Sequence, residues 1–117
     1  MTKTQENYLD KLLREVMATR HKGVCEKCGR SSRQMNVHHF HGRRHLGIRW
    51  TISNLFALCN YCHYLSKDSV HQNPAEFTLW AIKTRGQQWY DDLLLQKNTI
   101  HKPDFEMIKL SLLEMMK

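Results

Sequence analysis

Cys25-Glu26-Lys27-Cys28 and Cys59-Asn60-Tyr61-Cys62-His63 decide how the chain folds. Two Cys-x2-Cys pairs separated by 30 residues read as a four-thiolate site, because tetrahedral Zn²⁺ takes four ligands. All four cysteines of the chain fall in these two knuckles, so Cys25, Cys28, Cys59 and Cys62 are the expected structural zinc ligands. A disulfide framework is the weaker alternative. Between the knuckles lie Val37-His38-His39-Phe40-His41 and Asn54-Leu55-Phe56-Ala57-Leu58. Asn54 follows His39 by 15 residues, and His63 follows Asn54 by 9. The pattern predicts two metal sites in one small module, one structural and one catalytic.

Working outward, 117 residues with 41% hydrophobic content make one domain with a modest core, to which a metal staple adds stability. The expected divisions are an N-terminal helix over 1–22, a zinc-stapled module over 23–72 and a C-terminal helical extension over 73–117. The N-terminus is polar and lacks the apolar run of a signal peptide, and no segment reaches the ~20 apolar residues of a membrane span. Reduced thiolates fit a cytoplasmic setting, with no membrane partner. Net charge is +7, and residues 20–50 alone hold eight Lys and Arg against Glu26, again +7. The positive excess therefore surrounds the histidines, where a polyanion would dock. A solvated basic loop is the bland alternative to DNA.

Periodicity predicts a helix over 4–20, with Thr4 as N-cap and Tyr8, Leu9, Leu12, Leu13, Val16 and Met17 as its apolar stripe. Met35 to Phe40 is an expected strand, with Val37 and His39 on one face and His38 and Phe40 on the other. Leu46 to Thr51 reads as its return strand, Ile52 to Leu58 as a turn, and Cys59 to about Asp68 as a helix. Asn73-Pro74-Ala75-Glu76 opens another helix, buried through Phe77, Trp80, Ala81 and Thr84 and stopped at Arg85-Gly86. Gln87 to Gln96 forms the next. Pro103 is expected to open the last helix, with a stripe of Phe105, Ile108, Leu112, Leu113 and Met116 that serves either core packing or docking.

The histidine-rich middle suits phosphodiester hydrolysis. Adjacent strand residues point to opposite sides, so one of the pair can face a metal and the other the substrate. His38 is the favoured ligand, with His63, and His39 the general base, since imidazole takes protons near neutral pH. Asn54 is placed to hydrogen-bond across the loop and fix the His39 strand. Arg43, Arg44, His45 and Arg49 are the expected DNA contacts. His41 is, in order of preference, a third ligand, a phosphate contact or a solvated loop residue. His21, His71 and His101 read as incidental.

In order and spacing these residues resemble the HNH, or ββα-metal, endonucleases, over roughly residues 20 to 97. The resemblance implies an α+β fold with a small ββα-metal core, a four-cysteine structural zinc site and flanking helices. It makes His39 and Asn54 the catalytic H and N, and His63 the metal-binding final H. His38, before the first H, is a further ligand. Narrower likenesses are to phage recombination nucleases of the endonuclease VII kind and, over Arg49-Trp50-Thr51 and Trp80 to Gly86, to the NinG phage recombination proteins. Where some members carry a further histidine four residues after the final H, this chain has Lys67.

The expected function is metal-dependent DNA endonuclease, in phage recombination or processing within the host cytoplasm. Its cofactors are structural Zn²⁺ and one catalytic divalent metal, Mg²⁺, Mn²⁺, Ni²⁺ or Zn²⁺. The resemblance implies products with 5′-phosphate and 3′-hydroxyl ends. Branched or nicked DNA is among the expected substrates, and a homodimer is left open. The alternatives are a non-catalytic zinc-dependent nucleic-acid-binding module and a packaging or recombination subunit.

Overall fold

Two short strands form the centre, and helices cover both of their faces. In the computed structural model, which describes residues 1–99 and 102–117, β1 (Met35–His39) pairs antiparallel with β2 (Leu55–Cys59), from Met35 opposite Cys59 to His39 opposite Leu55. Every residue of β2 is buried. Successive strand side chains point to opposite faces. Leu55 and Ala57 therefore join one apolar cluster and Phe56 and Leu58 another, which Cys59 at the strand's end also enters. The first is built on α1 (Lys3–His21) and Leu112 of α4 (Phe105–Met115). The second packs against Phe77 and Ala81 of α2 (Pro74–Arg85) and Trp89 of α3 (Gln87–Thr99). This is the expected α+β arrangement, a two-stranded sheet between helical layers. His101 lies outside the described residues. No helix among the described residues is long and apolar enough to cross a membrane.

Helix α1 buries Leu9, Leu12, Leu13, Val16 and Met17, the stripe read from periodicity, while Tyr8 stays largely exposed. Its cap differs from expectation. Thr2, not Thr4, closes a capping box: the Thr2 hydroxyl accepts from the Gln5 N–H, and the Gln5 side chain accepts from the Thr2 N–H. Two otherwise orphaned donors are satisfied reciprocally, which Thr4 inside the helix could not do. The start of α2 is as read, with Asn73 accepting from the Glu76 N–H and Pro74 in the first turn. Gly86, at φ 100°, separates α2 from α3 in a conformation that side-chain-bearing residues resist. Thr84 is exposed rather than buried. Asp104 caps α4 through the Met107 N–H, so the helix starts after Pro103 and one cap later than expected. On α4, Leu112, Phe105 and Ile108 pack inward, whereas Leu110, Leu113, Met115 and Met116 remain exposed.

Two further expectations are corrected. Leu46 to Thr51 is a run of turns, not a strand, and the partner of β1 is the apolar segment 55–59 that follows a 3-10 turn at Ile52–Asn54. The reason lies in burial: Ile48, Arg49 and Trp50 are buried consecutively, which an alternating two-sided strand does not do. The helix expected from Cys59 to Asp68 shrinks to a five-residue π-helical turn, Tyr61–Leu65, closed by the Ser66 N–H on the Tyr61 carbonyl. A wide turn of this kind is common where side chains must be aimed at a functional site.

The loop between the strands is anchored to α1 chiefly by the Asp10 carboxylate. Asp10 accepts from Trp50 Nε1 at 2.8 Å and from Arg49 and Arg43, each at 2.7 Å. Arg49 also reaches Glu6 at 3.1 Å. Burial alone would raise the Asp10 pKa, but these donors and the two guanidinium charges outweigh it and hold the group below its ordinary 3.8. Arg49 is only 6% exposed, so removing its partner would strand a buried charge. Asp10→Ala should destabilise the domain by about 3–5 kcal/mol, the usual cost of breaking a buried pair from one side. Denaturant unfolding at neutral pH measures it, and a loss below about 1 kcal/mol, the worth of a surface pair, would contradict the assignment.

Candidate metal centres and the histidine site

The knuckles converge as their spacing predicts. The sulfurs of Cys25, Cys28, Cys59 and Cys62 all lie within 4.8 Å of one another, and Cys28 and Cys59 are 3.7 Å apart. Zn–S bonds of about 2.3 Å at tetrahedral angles require sulfurs about 3.8 Å apart, so the four thiols fit a zinc ion. They are free thiols, not disulfides. Backbone geometry builds the cage: the Gly29 N–H reaches the Cys25 carbonyl at 2.9 Å, and Cys25 N–H the Arg30 carbonyl at 3.0 Å, with Gly29 at φ 76°. Burial alone would raise the Cys25 thiol, but backbone donors at Cys28, Cys59 and Lys27 outweigh it and bring it to about 7. Burial and its cysteine neighbours push Cys62 up. Glu26 clamps this knuckle to β2, its N–H on the Ala57 carbonyl and its carboxylate accepting the Ala57 N–H.

A second cluster lies on the α2 side of the sheet. Ring nitrogens of His38, His63 and His71 all lie within 4.8 Å of one another, and the Nε2 atoms of His63 and His71 are 3.1 Å apart. His38 comes from β1 and His63 from the π-helical turn. His71 arrives because the backbone doubles back: the Val70 N–H bonds the Cys62 carbonyl at 3.1 Å and the His71 N–H the His63 carbonyl at 3.2 Å. Burial pushes the His38 pKa to about 3, helped by the nearby His63, His71 and His39. Burial, then His71, brings His63 to about 4. Both imidazoles are therefore neutral at pH 7, the form that ligates metals. Zn–N bonds of about 2.0–2.1 Å set tetrahedral nitrogens about 3.4 Å apart, which the trio approaches. A cavity of about 270 Å³ lined by His38, Phe40, Val70, His71, Pro74, Phe77 and Thr78 adjoins it.

His39 points the other way, as alternation requires. It lines a cleft of about 150 Å³ with Asp10, Leu13, Arg14, Val37 and Arg43. Its buried Nε2 has no hydrogen-bond partner among the described residues. Burial, then the Arg43 charge, pushes its pKa to about 4, and the Arg49 backbone bond opposes them. Asn54, fully buried, holds the chain just beyond: its Oδ1 accepts from the His41 N–H at 2.8 Å, and its Nδ2 donates to the His41 carbonyl at 3.0 Å. The Phe40 N–H reaches the Asn54 carbonyl at 2.7 Å. Behind it, Arg85 and Trp89 donate to the Ser53 carbonyl.

Residues 25–68 match the HNH endonuclease family model. The match supports the HNH family and nuclease activity in general for this segment. No curated protein and no solved structure matches the chain. Within the HNH segment the expected H, N and H stand at His39, Asn54 and His63, and His38 lies beside His63. The narrower likeness to phage recombination proteins has no further support.

Three placements differ from the sequence reading. His71, expected to be incidental, is the third nitrogen of the cluster; it sits three residues beyond the matched segment and was recognisable only from the chain's return. His41, first expected as a third ligand, is absent from that trio. Asn54 holds its backbone on the loop, and its ring neighbours Phe40 and His45. Arg49, expected at phosphate, is consumed by Asp10 and Glu6 inside the protein. Arg43 shares Asp10, yet its side chain is 59% exposed, and Arg44 is exposed beside His45.

Cys59→Ser should lose zinc and unfold the domain, because structural zinc binding of about 10–16 kcal/mol rivals or exceeds the ~5–15 kcal/mol stability of a whole domain. Zinc content and circular dichroism report it; a folded, zinc-free variant would refute the coupling. His71→Ala should keep that tight zinc but weaken a second divalent ion at least as much as the roughly 10–100-fold typical of a lost outer-shell partner. Calorimetric titration with Ni²⁺ or Zn²⁺ measures it, and an unchanged second affinity would remove His71 from the site.

Proposed function

We propose that the protein is a metal-dependent DNA endonuclease in which His38, His63 and His71 hold the catalytic ion and His39 is the general base. The observation that carries this reading is the second convergence of ring nitrogens, outside the zinc knuckles and one residue from an unpartnered imidazole nitrogen. A zinc module that only binds nucleic acid has no use for that second cluster. Three imidazoles favour Zn²⁺ or Ni²⁺ over Mg²⁺, which prefers oxygen. When bound, the ion supplies positive charge for the phosphoryl and leaving oxygens.

The chain's own residues do the rest. His39, neutral and set in its cleft by the strand, accepts the proton of an attacking water at Nε2. An arriving phosphate raises its basicity, since a nearby negative charge favours imidazolium. Arg43 can turn from Asp10 to that phosphate, because Arg49 and Trp50 still satisfy the carboxylate. Arg44 and His45 receive neighbouring phosphates. Asn54 positions the strand end that carries His39. The setting we infer is phage DNA recombination or processing, on the NinG-like and endonuclease VII-like stretches.

Supercoiled plasmid incubated with the purified protein and Zn²⁺, Ni²⁺, Mn²⁺ or Mg²⁺ tests the assignment. Nicking is expected with at least one ion and should fall by about 10²–10⁴ in His39→Ala, the usual worth of a general base. His39→Ala should retain its fold and its metal. Undiminished nicking would move the base elsewhere, and a single tight zinc per chain with no cleavage would favour the binding module.

A further inference from the structure

The π-helical turn divides its side chains sharply. Cys62 and His63 point inward to the two metal clusters, while Tyr61, Tyr64 and Leu65 point outward, 51%, 46% and 72% exposed. These three expose apolar surface on the turn that carries His63, and Tyr64 lies against the histidine site itself. Burial in the core does not explain it.

We propose that this patch binds unpaired nucleotides of a DNA strand by base stacking and so gives the enzyme a preference for single-stranded or locally opened DNA. The inference rests on the nuclease reading and names its substrate class. Tyr64 lies parallel to His71, at 11° and 5.0 Å between ring centroids, and tilted over His63 at 4.0 Å. The phenol ring thus packs on the histidines, and its 46% exposure leaves surface for a base. A base on Tyr64 would extend the His71–Tyr64 stack by one layer. Its own phosphate, or the next, would then fall at the histidine cluster.

Charge agrees with that occupant. The Arg30 guanidinium sits 5.6 Å from the Tyr61 ring centroid, and Lys27 reaches the Asp68 carbonyl at 3.4 Å. Lys67 is exposed next to the turn, beside exposed Asp68, so three cations border the patch against one acid. Stacking aromatics bordered by cations are the common means of holding single strands, because every base offers a π face and every nucleotide a phosphate. A closed duplex keeps its base faces covered and offers this patch only backbone and groove edges.

The test is fluorescence anisotropy without added divalent metal, using one sequence as a single strand and as a blunt duplex. Wild type should bind the single strand more tightly. Tyr61→Ala and Tyr64→Ala should each weaken single-strand binding by about 5- to 150-fold, the range for loss of one stacked base. Tyr64→Phe, which keeps the ring, should bind as wild type does, and duplex binding should be unchanged throughout. Tyr61 has no ring contact with the histidines, so Tyr61→Ala keeps the test valid if Tyr64→Ala disturbs the fold or the metal. Equal affinity of wild type for both DNAs, equal losses on both, or a Phe variant as weak as Ala would overturn the proposal. A patch that serves a protein partner would give the first of these results. Because the readout is binding, a retained single-strand preference with no metal-dependent cleavage of either the plasmid or that single strand would sink the nuclease reading alone. Nicking with no such preference would sink only this one.

Discussion

The convergence of four thiols at the end of β2 is the constraint on which the rest depends. Cys59 ends the strand, Cys62 lies in the π-helical turn, and Cys25 and Cys28 come from a knuckle that Glu26 also fastens to β2. Two five-residue strands are too few to stand alone in water. Here the sheet is held at one end by the cysteine cluster and covered on both faces by helices. The same turn that delivers Cys62 to the sulfurs delivers His63 to the histidines. The two clusters are therefore adjacent in sequence, joined through Cys62 and His63.

The opposite end of the sheet is held by hydrogen bonds and charge. Asn54 fastens the chain just past His39, and Arg85 and Trp89 hold the Ser53 carbonyl behind it. Asp10 ties the intervening loop to α1 through three donors from Arg43, Arg49 and Trp50. A buried carboxylate so satisfied costs little, and it sets which arginines stay inside. Arg49 becomes structural and Arg43 remains at the surface. The basic segment is thus a mixture: part of its charge holds the loop, and part is free to meet phosphate.

Burial acts on the histidines in a single direction. His38, His39, His41 and His63 are all pushed below the ordinary imidazole pKa, chiefly by desolvation. Neutral rings can ligate or accept a proton, and strand alternation turns His38 and His39 toward opposite helical layers.

Much of this was legible in the sequence, because it depends on spacing. Paired cysteines define a tetrahedral site whatever lies between them, alternation assigns His38 and His39 to different faces, and Asn73-Pro74 starts a helix by local chemistry. The small α+β core with its cysteine cluster was expected from the resemblance that those spacings carry, and the family match over residues 25–68 agrees with it. What the sequence could not decide were pairings between distant groups. Leu46 to Thr51 has strand-like composition, yet Asp10, 39 and 40 residues away from Arg49 and Trp50, draws their side chains into a polar network. Thr4 reads as the cap in the sequence, and only the bond of the Gln5 side chain to Thr2 moves the cap two residues earlier. His71 looks like one histidine among several until backbone bonds at 70 and 71 return the chain to Cys62 and His63. Local propensity and ligand spacing are written along the chain, but satisfaction of buried charge and the return of a loop are settled only when the whole chain closes on itself.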